Sequence, residues 1–177
     1  MSYQLIEKQV LYNGQKVRLE VHHLERELDG KRIKKEVCVH PGAVVILPML
    51  DDKTILLIRN KRYAVDQVLL EIPAGTLEPK EPPINCAGRE LLEETGYLAK
   101  RLKPLPPFFA SPGILSEKMY PFVAYDLQKQ KAALEEGEEI EVSPALFSDA
   151  IEMIRTGEIM DAKTIAVLLS YERFHQM

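Results

Sequence analysis

The sequence predicts an α/β protein, and three features carry that prediction. The N-terminal region alternates polar and apolar residues around Asp29-Gly30, a dipeptide typical of hairpin turns. The run AVVILPML, after His40-Pro41-Gly42, is almost continuously apolar, as expected of a strand buried on both faces. A helix pattern rich in carboxylates lies between two further strand patterns. Buried strands and amphipathic helices in one chain indicate a mixed α/β architecture.

Size and composition argue against several classes of protein. The 177 residues suffice for one domain, or for one domain with a small appendage. A formal net charge of −4 argues against a general nucleic-acid binder or a binder of anionic membranes. The sequence has no signal-peptide pattern and no apolar run of membrane-spanning length, so we expect a cytoplasmic protein. Cys38 and Cys86 lack metal-site spacing and are expected to be reduced thiols.

Residues 1–40 are predicted to form a small antiparallel β subdomain, followed by the main domain at residues 41–177. A few strands without a thick core of their own often need a partner surface. That surface is either the rest of the chain or a second subunit. We favour the second subunit, because these strands precede the main core.

Two strand patterns lead from the buried run towards the helix. TILLIRNKRY ends in the basic residues Arg59, Lys61 and Arg62, which form either a solvated strand end or a phosphate clamp. VLLEIPAG is a short strand that ends in a turn at Pro73-Ala74-Gly75. This turn delivers the backbone to the loop before the helix.

The carboxylate helix is predicted to open at Pro82 and Pro83 and to close at Gly96. Carboxylates three or four residues apart on a helix are neighbours and repel one another. Arg89 can pair with Glu93, which leaves Glu90 and Glu94 as an oxygen-rich edge. Such an edge suits Mg²⁺ or Mn²⁺.

Downstream, PLPPFFASPG predicts a loop and MYPFVAYDL a strand. The acidic run in KAALEEGEEIEV is, taken alone, most typical of a solvated loop. A helix is expected from Ser143-Pro144 to near Gly157. A final helix covers residues 165–174, with Asp161 or Lys163-Thr164 near its start.

The spacing of the helix region resembles a known signature. Gly75 is followed after five residues by Glu81 and after seven more by RELLEETGY, residues 89–97. This resembles the Nudix hydrolase signature GX5EX7REUXEEXGU, in which U is a bulky apolar residue. Every fixed position matches, and Tyr97 is an aromatic where an aliphatic residue is commoner.

The resemblance extends over nearly the whole chain, towards the ADP-ribose pyrophosphatase branch of that superfamily. HPGAVVILPML, YAVDQVLLEIPAG and SPGILSE are similar to stretches of that branch, and Pro112 stands sixteen residues after Gly96 as it does there. The resemblance implies an α/β/α Nudix sandwich around a mixed sheet. It also implies a homodimer formed through the N-terminal strands.

The resemblance further implies a set of site residues. Glu90, Glu94 and the carbonyl of Ala74 would bind Mg²⁺, or Mn²⁺ or another divalent cation. Glu93 and Arg89 would act beside them, and Glu138 would be the general base, with Glu136 and Glu139 as alternatives. The expected substrate-binding residues are Arg62, Arg59, Glu71, Pro112 and Glu117.

The implied reaction is the metal-dependent hydrolysis of ADP-ribose to AMP and ribose 5-phosphate. Two alternatives remain open. One is a Nudix hydrolase of another nucleotide sugar, such as GDP-mannose or another ADP-sugar, or of an oxidised nucleotide. The other is a Nudix-fold ligand sensor without turnover. In each case the partner is a small nucleotide, with no nucleic acid and no membrane.

Overall fold

The computed structural model describes residues 2–14, 17–130 and 140–175. The chain divides into two compact units. The first comprises Met1–Gly42 and Phe109–Lys118, and the second comprises Ala43–Phe108 and Met119–Met177. The loop that carries Pro112 therefore groups with the N-terminal strands.

The first unit is a three-stranded antiparallel sheet in the order β1-β2-β3. Its strands are β1 (Tyr3–Asn13), β2 (Arg18–Arg26) and β3 (Arg32–Val39). The hairpin predicted at Asp29-Gly30 is confirmed, and Gly30 has the positive φ of 70° that glycine adopts readily. The segment 109–118 attaches to β3, because Cys38 donates its N–H to the carbonyl of Ile114 at 2.8 Å.

Beyond β1–β3, the described ranges contain eight strands and three helices. The strands are β4 (Ala43–Pro48), β5 (Thr54–Arg62), β6 (Gln67–Glu71), β7 (Ala74–Thr76), β8 (Tyr97–Pro104), β9 (Phe108–Phe109), β10 (Lys118–Lys129) and β11 (Ile140–Leu146). The helices are α1 (Pro83–Thr95), α2 (Phe147–Thr156) and α3 (Ala162–Phe174). None of the helices in these ranges is long and apolar enough to cross a membrane.

These strands form two sheets. One has the order β7-β4-β10-β8, with β9 beside β10. It is mixed, because β10 runs parallel to β4 whereas β8 and β7 pair antiparallel to their neighbours. The other sheet is antiparallel, in the order β11-β5-β6.

Strand β4 lies at the centre of the second unit, and all six of its residues are buried. Its side chains alternate between two apolar clusters, as successive side chains of a strand must. Val44 and Ile46 pack with residues of α1, including Leu91. Val45 and Leu47 pack in the cluster that contains residues of α2 and α3. Helices therefore cover both faces of a mixed sheet, which confirms the predicted α/β/α sandwich.

The ends of α1 follow the prediction. Pro82 is the N-cap residue in extended conformation, and Pro83 opens the first turn, where its missing N–H costs no hydrogen bond. Gly96 is the C-cap with φ of 72° and donates its N–H to the carbonyl of Leu92 at 2.8 Å. Both ends of the helix that carries the carboxylates are therefore well defined.

The predicted start of the second helix at Ser143 is wrong. Residues 143–146 belong to β11, and α2 begins at Phe147. Pro144 is accommodated because β11 is an edge strand, where a residue without an N–H is tolerated. The start of α3 agrees with the first expectation, because Asp161 is its N-cap and accepts the N–H of Thr164.

Candidate active site

Arg89 of α1 joins three carboxylates, two on the same helix and one in the loop before it. Its Nη1 donates to Glu90 Oε1 at 2.8 Å and to Glu93 Oε2 at 2.9 Å. Its Nε and Nη2 donate to the two oxygens of Glu81 at 3.1 and 3.0 Å. The predicted pair of Arg89 with Glu93 is thus present. The prediction did not include the second bond, from Arg89 to Glu90. One guanidinium therefore offsets the repulsion within the carboxylate cluster.

Hydrogen bonding and burial determine the ionisation states of the groups in this cluster. Hydrogen bonds from Arg89 lower the pKa of Glu81 to about 2, and the same contact raises the pKa of Arg89. Burial raises the pKa of the neighbouring Cys86 thiol to about 12. At neutral pH Glu81 is therefore an anion bound to Arg89, and Cys86 is a neutral packing residue.

Gly75 makes room for the carboxylate of Glu90. A Cβ added at Gly75 would lie 1.8 Å from Glu90 Cδ and about as close to both carboxylate oxygens, at 2.0 and 2.2 Å. Any larger residue would displace that carboxylate. The glycine that begins the motif thus allows the backbone of β7 to lie directly against Glu90.

Ala74 presents its backbone polar groups to α1. Ile46 of β4 donates its N–H to the carbonyl of Pro73 at 2.8 Å, so the next residue, Ala74, points both its N–H and its carbonyl away from β4. The N–H of Ala74 donates to Glu94 Oε2 at 3.0 Å. Glu94 is only 2% exposed. The carbonyl of Ala74 therefore faces the side of the strand on which Glu94 lies.

Glu90, Glu94 and the Ala74 carbonyl remain the predicted ligands of a divalent cation. All three supply hard oxygen donors, and the missing side chain of Gly75 leaves room for the Glu90 carboxylate. Within residues 2–14, 17–130 and 140–175, no group of three or more His, Cys, Asp or Glu is arranged to hold a metal.

A second charged group lies at the ends of β5 and β6. Arg62 donates through Nε and Nη2 to the two oxygens of Glu71 at 2.8 and 2.6 Å. Glu71 is completely buried, and Lys163 of α3 also donates to its Oε2. Hydrogen bonding to Glu71 raises the pKa of Arg62, and the negative charge of Glu94 adds to this effect. Among the carboxylates of α1, Glu94 therefore contributes to the electrostatic environment of Arg62.

The structure places the remaining predicted residues in different surroundings. Arg59 is exposed and faces Glu141 across the β5–β11 pair. Pro112 and Glu117 belong to the first unit, where Glu117 Oε1 lies 3.5 Å from His40 Nδ1. Glu138 and its alternatives Glu136 and Glu139 lie outside the described residues. The roles assigned to all of these residues stay predictions.

Sequence reasoning missed the part that Lys163 plays. The sequence pattern places Lys163 and Asp161 only near the start of a helix, because Glu71 lies about 90 residues away in the chain. A buried glutamate in LLEIPAG is the signal that could have prompted a search for a second cation, since buried carboxylates need partners.

Comparisons with known proteins show which family this chain resembles. The NUDIX domain model matches residues 39–164. An ADP-ribose pyrophosphatase of Bacillus subtilis (strain 168) is 38% identical over 90% of this chain and 86% of its own length. A GDP-mannose pyrophosphatase of Salmonella paratyphi B is 37% identical over 77% of this chain and 75% of its own. A solved structure described as an ADP compounds hydrolase has the same fold, with a TM-score of 0.85 at 23% identity, and the match covers 100% of this chain and 98% of that chain. The chain therefore belongs to the Nudix family.

Proposed function

We propose that the protein hydrolyses the pyrophosphate of ADP-ribose to AMP and ribose 5-phosphate in the presence of a divalent cation. The observation that carries the proposal is the arrangement of Glu90 and Glu94 about the Gly75 and Ala74 backbone. The substrate is taken from the Bacillus subtilis relative, whose similarity spans both units of this chain.

Each residue has a distinct task in this proposal. Bound Mg²⁺ or Mn²⁺ would neutralise the pyrophosphate, polarise phosphorus and lower the pKa of a bound water. Glu90, Glu94 and the Ala74 carbonyl would hold the cation, and Arg89 keeps Glu90 and Glu93 in position.

The substrate and the proton are handled by other residues. Arg62 would hold a substrate phosphate, because its side chain remains 37% exposed although it is bonded to buried Glu71. Arg59 would be a second phosphate contact, and Pro112 and Glu117 would contribute to substrate recognition. The general base would be Glu138, which accepts the proton of the attacking water.

A substrate panel tests the proposed reaction. We expect ADP-ribose to have the highest kcat/KM among ADP-ribose, other ADP-sugars, GDP-mannose and oxidised nucleotides, with AMP as a product. The Salmonella relative makes GDP-mannose the strongest alternative substrate. A clear preference for GDP-mannose would overturn the substrate assignment. Tight binding of every nucleotide without hydrolysis would instead support a sensor.

We also propose that the protein is a homodimer formed through β1. This strand lies at the edge of its sheet, and its large apolar side chains are between 43% and 63% exposed: Leu5, Ile6, Val10, Leu11 and Tyr12. An exposed apolar edge strand favours association with another chain.

Light scattering tests the dimer. The wild type should have twice the 20.2 kDa mass of one chain, whereas Leu11→Asp should shift the mass towards the monomer. Lys8→Ala, at an exposed polar residue of the same strand, is the control and should stay dimeric. A monomeric wild type would refute this proposal without affecting the proposed reaction.

A further inference from the structure

Glu71 is a buried carboxylate with two cationic partners. Its side chain is completely buried, Arg62 contacts both of its oxygens, and Lys163 contacts Oε2. One bidentate arginine is already enough to pair a carboxylate. A second cation at the same buried group therefore calls for an explanation.

The start of α3 holds Lys163 at this position. Lys163 Nζ also donates to Asp161 Oδ1 at 2.8 Å, and Asp161 Oδ2 accepts from the N–H and the hydroxyl of Thr164 at 2.9 and 2.6 Å. The Thr164 oxygen in turn accepts the N–H of Ile72 at 3.1 Å. The first turn of α3 is thus bonded to the chain directly after Glu71 and shortly before Ala74.

The two cations differ in their freedom to move. Arg62 is 37% exposed, whereas the Lys163 side chain is 16% exposed and held by Asp161. If Arg62 alone neutralised Glu71, turning its guanidinium towards a phosphate would leave a charge buried without a partner, which is strongly unfavourable. With Lys163 in place, Glu71 keeps a cation throughout.

We propose that Lys163 is a positioning residue that keeps buried Glu71 neutralised, so that Arg62 can exchange Glu71 for a substrate phosphate. This inference rests on the proposed function, because it takes a nucleoside diphosphate as the ligand of Arg62. Lys163 acts through Glu71 and need not touch the substrate.

ADP with Mg²⁺ is the probe, since it carries the diphosphate but lacks the sugar on which the substrate assignment depends. Calorimetry should show that Lys163→Met raises the Kd for ADP about tenfold, a coupling of ordinary size between residues in one charge network. Lys163→Arg, which keeps the charge, should restore affinity to within about threefold. Lys100→Met, an exposed lysine of β8, is the matched control and should leave the Kd unchanged.

Kinetics and a double-mutant cycle separate this role from a structural one. With the best substrate of the panel, Lys163→Met should raise KM about tenfold and change kcat less than about threefold. In a Glu71→Gln background, where no charge needs neutralising, adding Lys163→Met should change the Kd for ADP less than about threefold.

Three results would overturn the inference. One is an unchanged Kd for ADP in folded Lys163→Met. Another is an equal loss of affinity with and without Glu71→Gln, because Lys163 would then act on the ligand directly. The third is a loss confined to kcat. If Lys163→Met alone does not fold, the Kd for ADP of Glu71→Gln is compared with that of the double variant. A clear loss of affinity in the double variant would then overturn the inference. Preference for another nucleotide sugar would refute the substrate assignment. It would not affect this test, because ADP lacks that sugar.

Discussion

The contact between Gly75 and Glu90 gives the sharpest prediction. In Gly75→Ala the new methyl carbon would lie 1.8 Å from Glu90 Cδ, whereas an ordinary contact begins near 3.4 Å. The carboxylate must therefore move by about 1.6 Å. A misplacement of about 1 Å in a catalytic arrangement can reduce the rate about a hundredfold. We expect kcat to fall by about two orders of magnitude and the required Mg²⁺ concentration to rise.

The fold should survive this change. Gly75 does not have the positive φ that would strain an alanine backbone, and the group to be displaced is the end of a flexible side chain. We therefore expect a small change in Tm beside a large loss of activity. The assay is AMP release across a Mg²⁺ titration, with thermal unfolding measured on the same samples.

Gly88→Ala provides the matched control. A Cβ at Gly88 would have Leu102 Cδ1 at 3.9 Å as its nearest neighbour, an ordinary contact. Alanine is favoured over glycine in a helix by about 1 kcal/mol, so Tm should rise by about 2–4 °C with kcat unchanged. If Gly75→Ala keeps kcat within about threefold of the wild type, or Gly88→Ala loses as much activity, the steric argument is wrong.

Three further predictions concern the charged residues. Glu90→Gln and Glu94→Gln should each reduce metal-dependent kcat by about a hundredfold or more, and unchanged kcat in both would exclude them as metal ligands. Because the pKa of Glu81 is lowered from 4.5 to about 2, its ion pair stabilises the fold fully above about pH 4.5 and loses that contribution as the pH falls towards 2. The Tm deficit of Glu81→Gln should therefore be largest at neutral pH and shrink below about pH 4.5, and a deficit independent of pH would contradict this. Glu138→Gln should lower kcat with little change in substrate affinity, and a larger effect from Glu136→Gln or Glu139→Gln would move the base to that residue.

The fold was predictable where the sequence pattern is local. The apolar run of β4, the Asp29-Gly30 hairpin and the capped helix α1 each follow from neighbouring residues, and all three are present. The helix start near Ser143 was not predictable in this way, because residues 143–146 gain more from pairing with β5 than from helical propensity. β5 and β11 are far apart in the sequence, so their pairing leaves no local periodicity in residues 143–146.

The same distinction applies to the site. The carboxylates of α1 and the glycine before them occur within 20 residues, so their spacing indicates their chemistry directly. Spacing also suggested the pair Arg89–Glu93, but it could not show that Arg89 also bonds Glu90 and Glu81. Side-chain direction, which sequence does not specify, decides how many partners a long arginine reaches.

The candidate site combines two charge networks that rest on different elements, so we expect their functions to be separable. Arg89, Glu90 and Glu94 depend on α1 and on the backbone of β7, whereas Arg62 and Glu71 depend on β5, β6 and the start of α3. Changes in the first network should alter kcat and metal dependence, since they move the proposed cation ligands. Changes in the second should alter KM, since they change the freedom of Arg62 to bind phosphate. A variant of Lys163 that lost metal dependence, or one of Gly75 that altered only KM, would show that the two networks act as one.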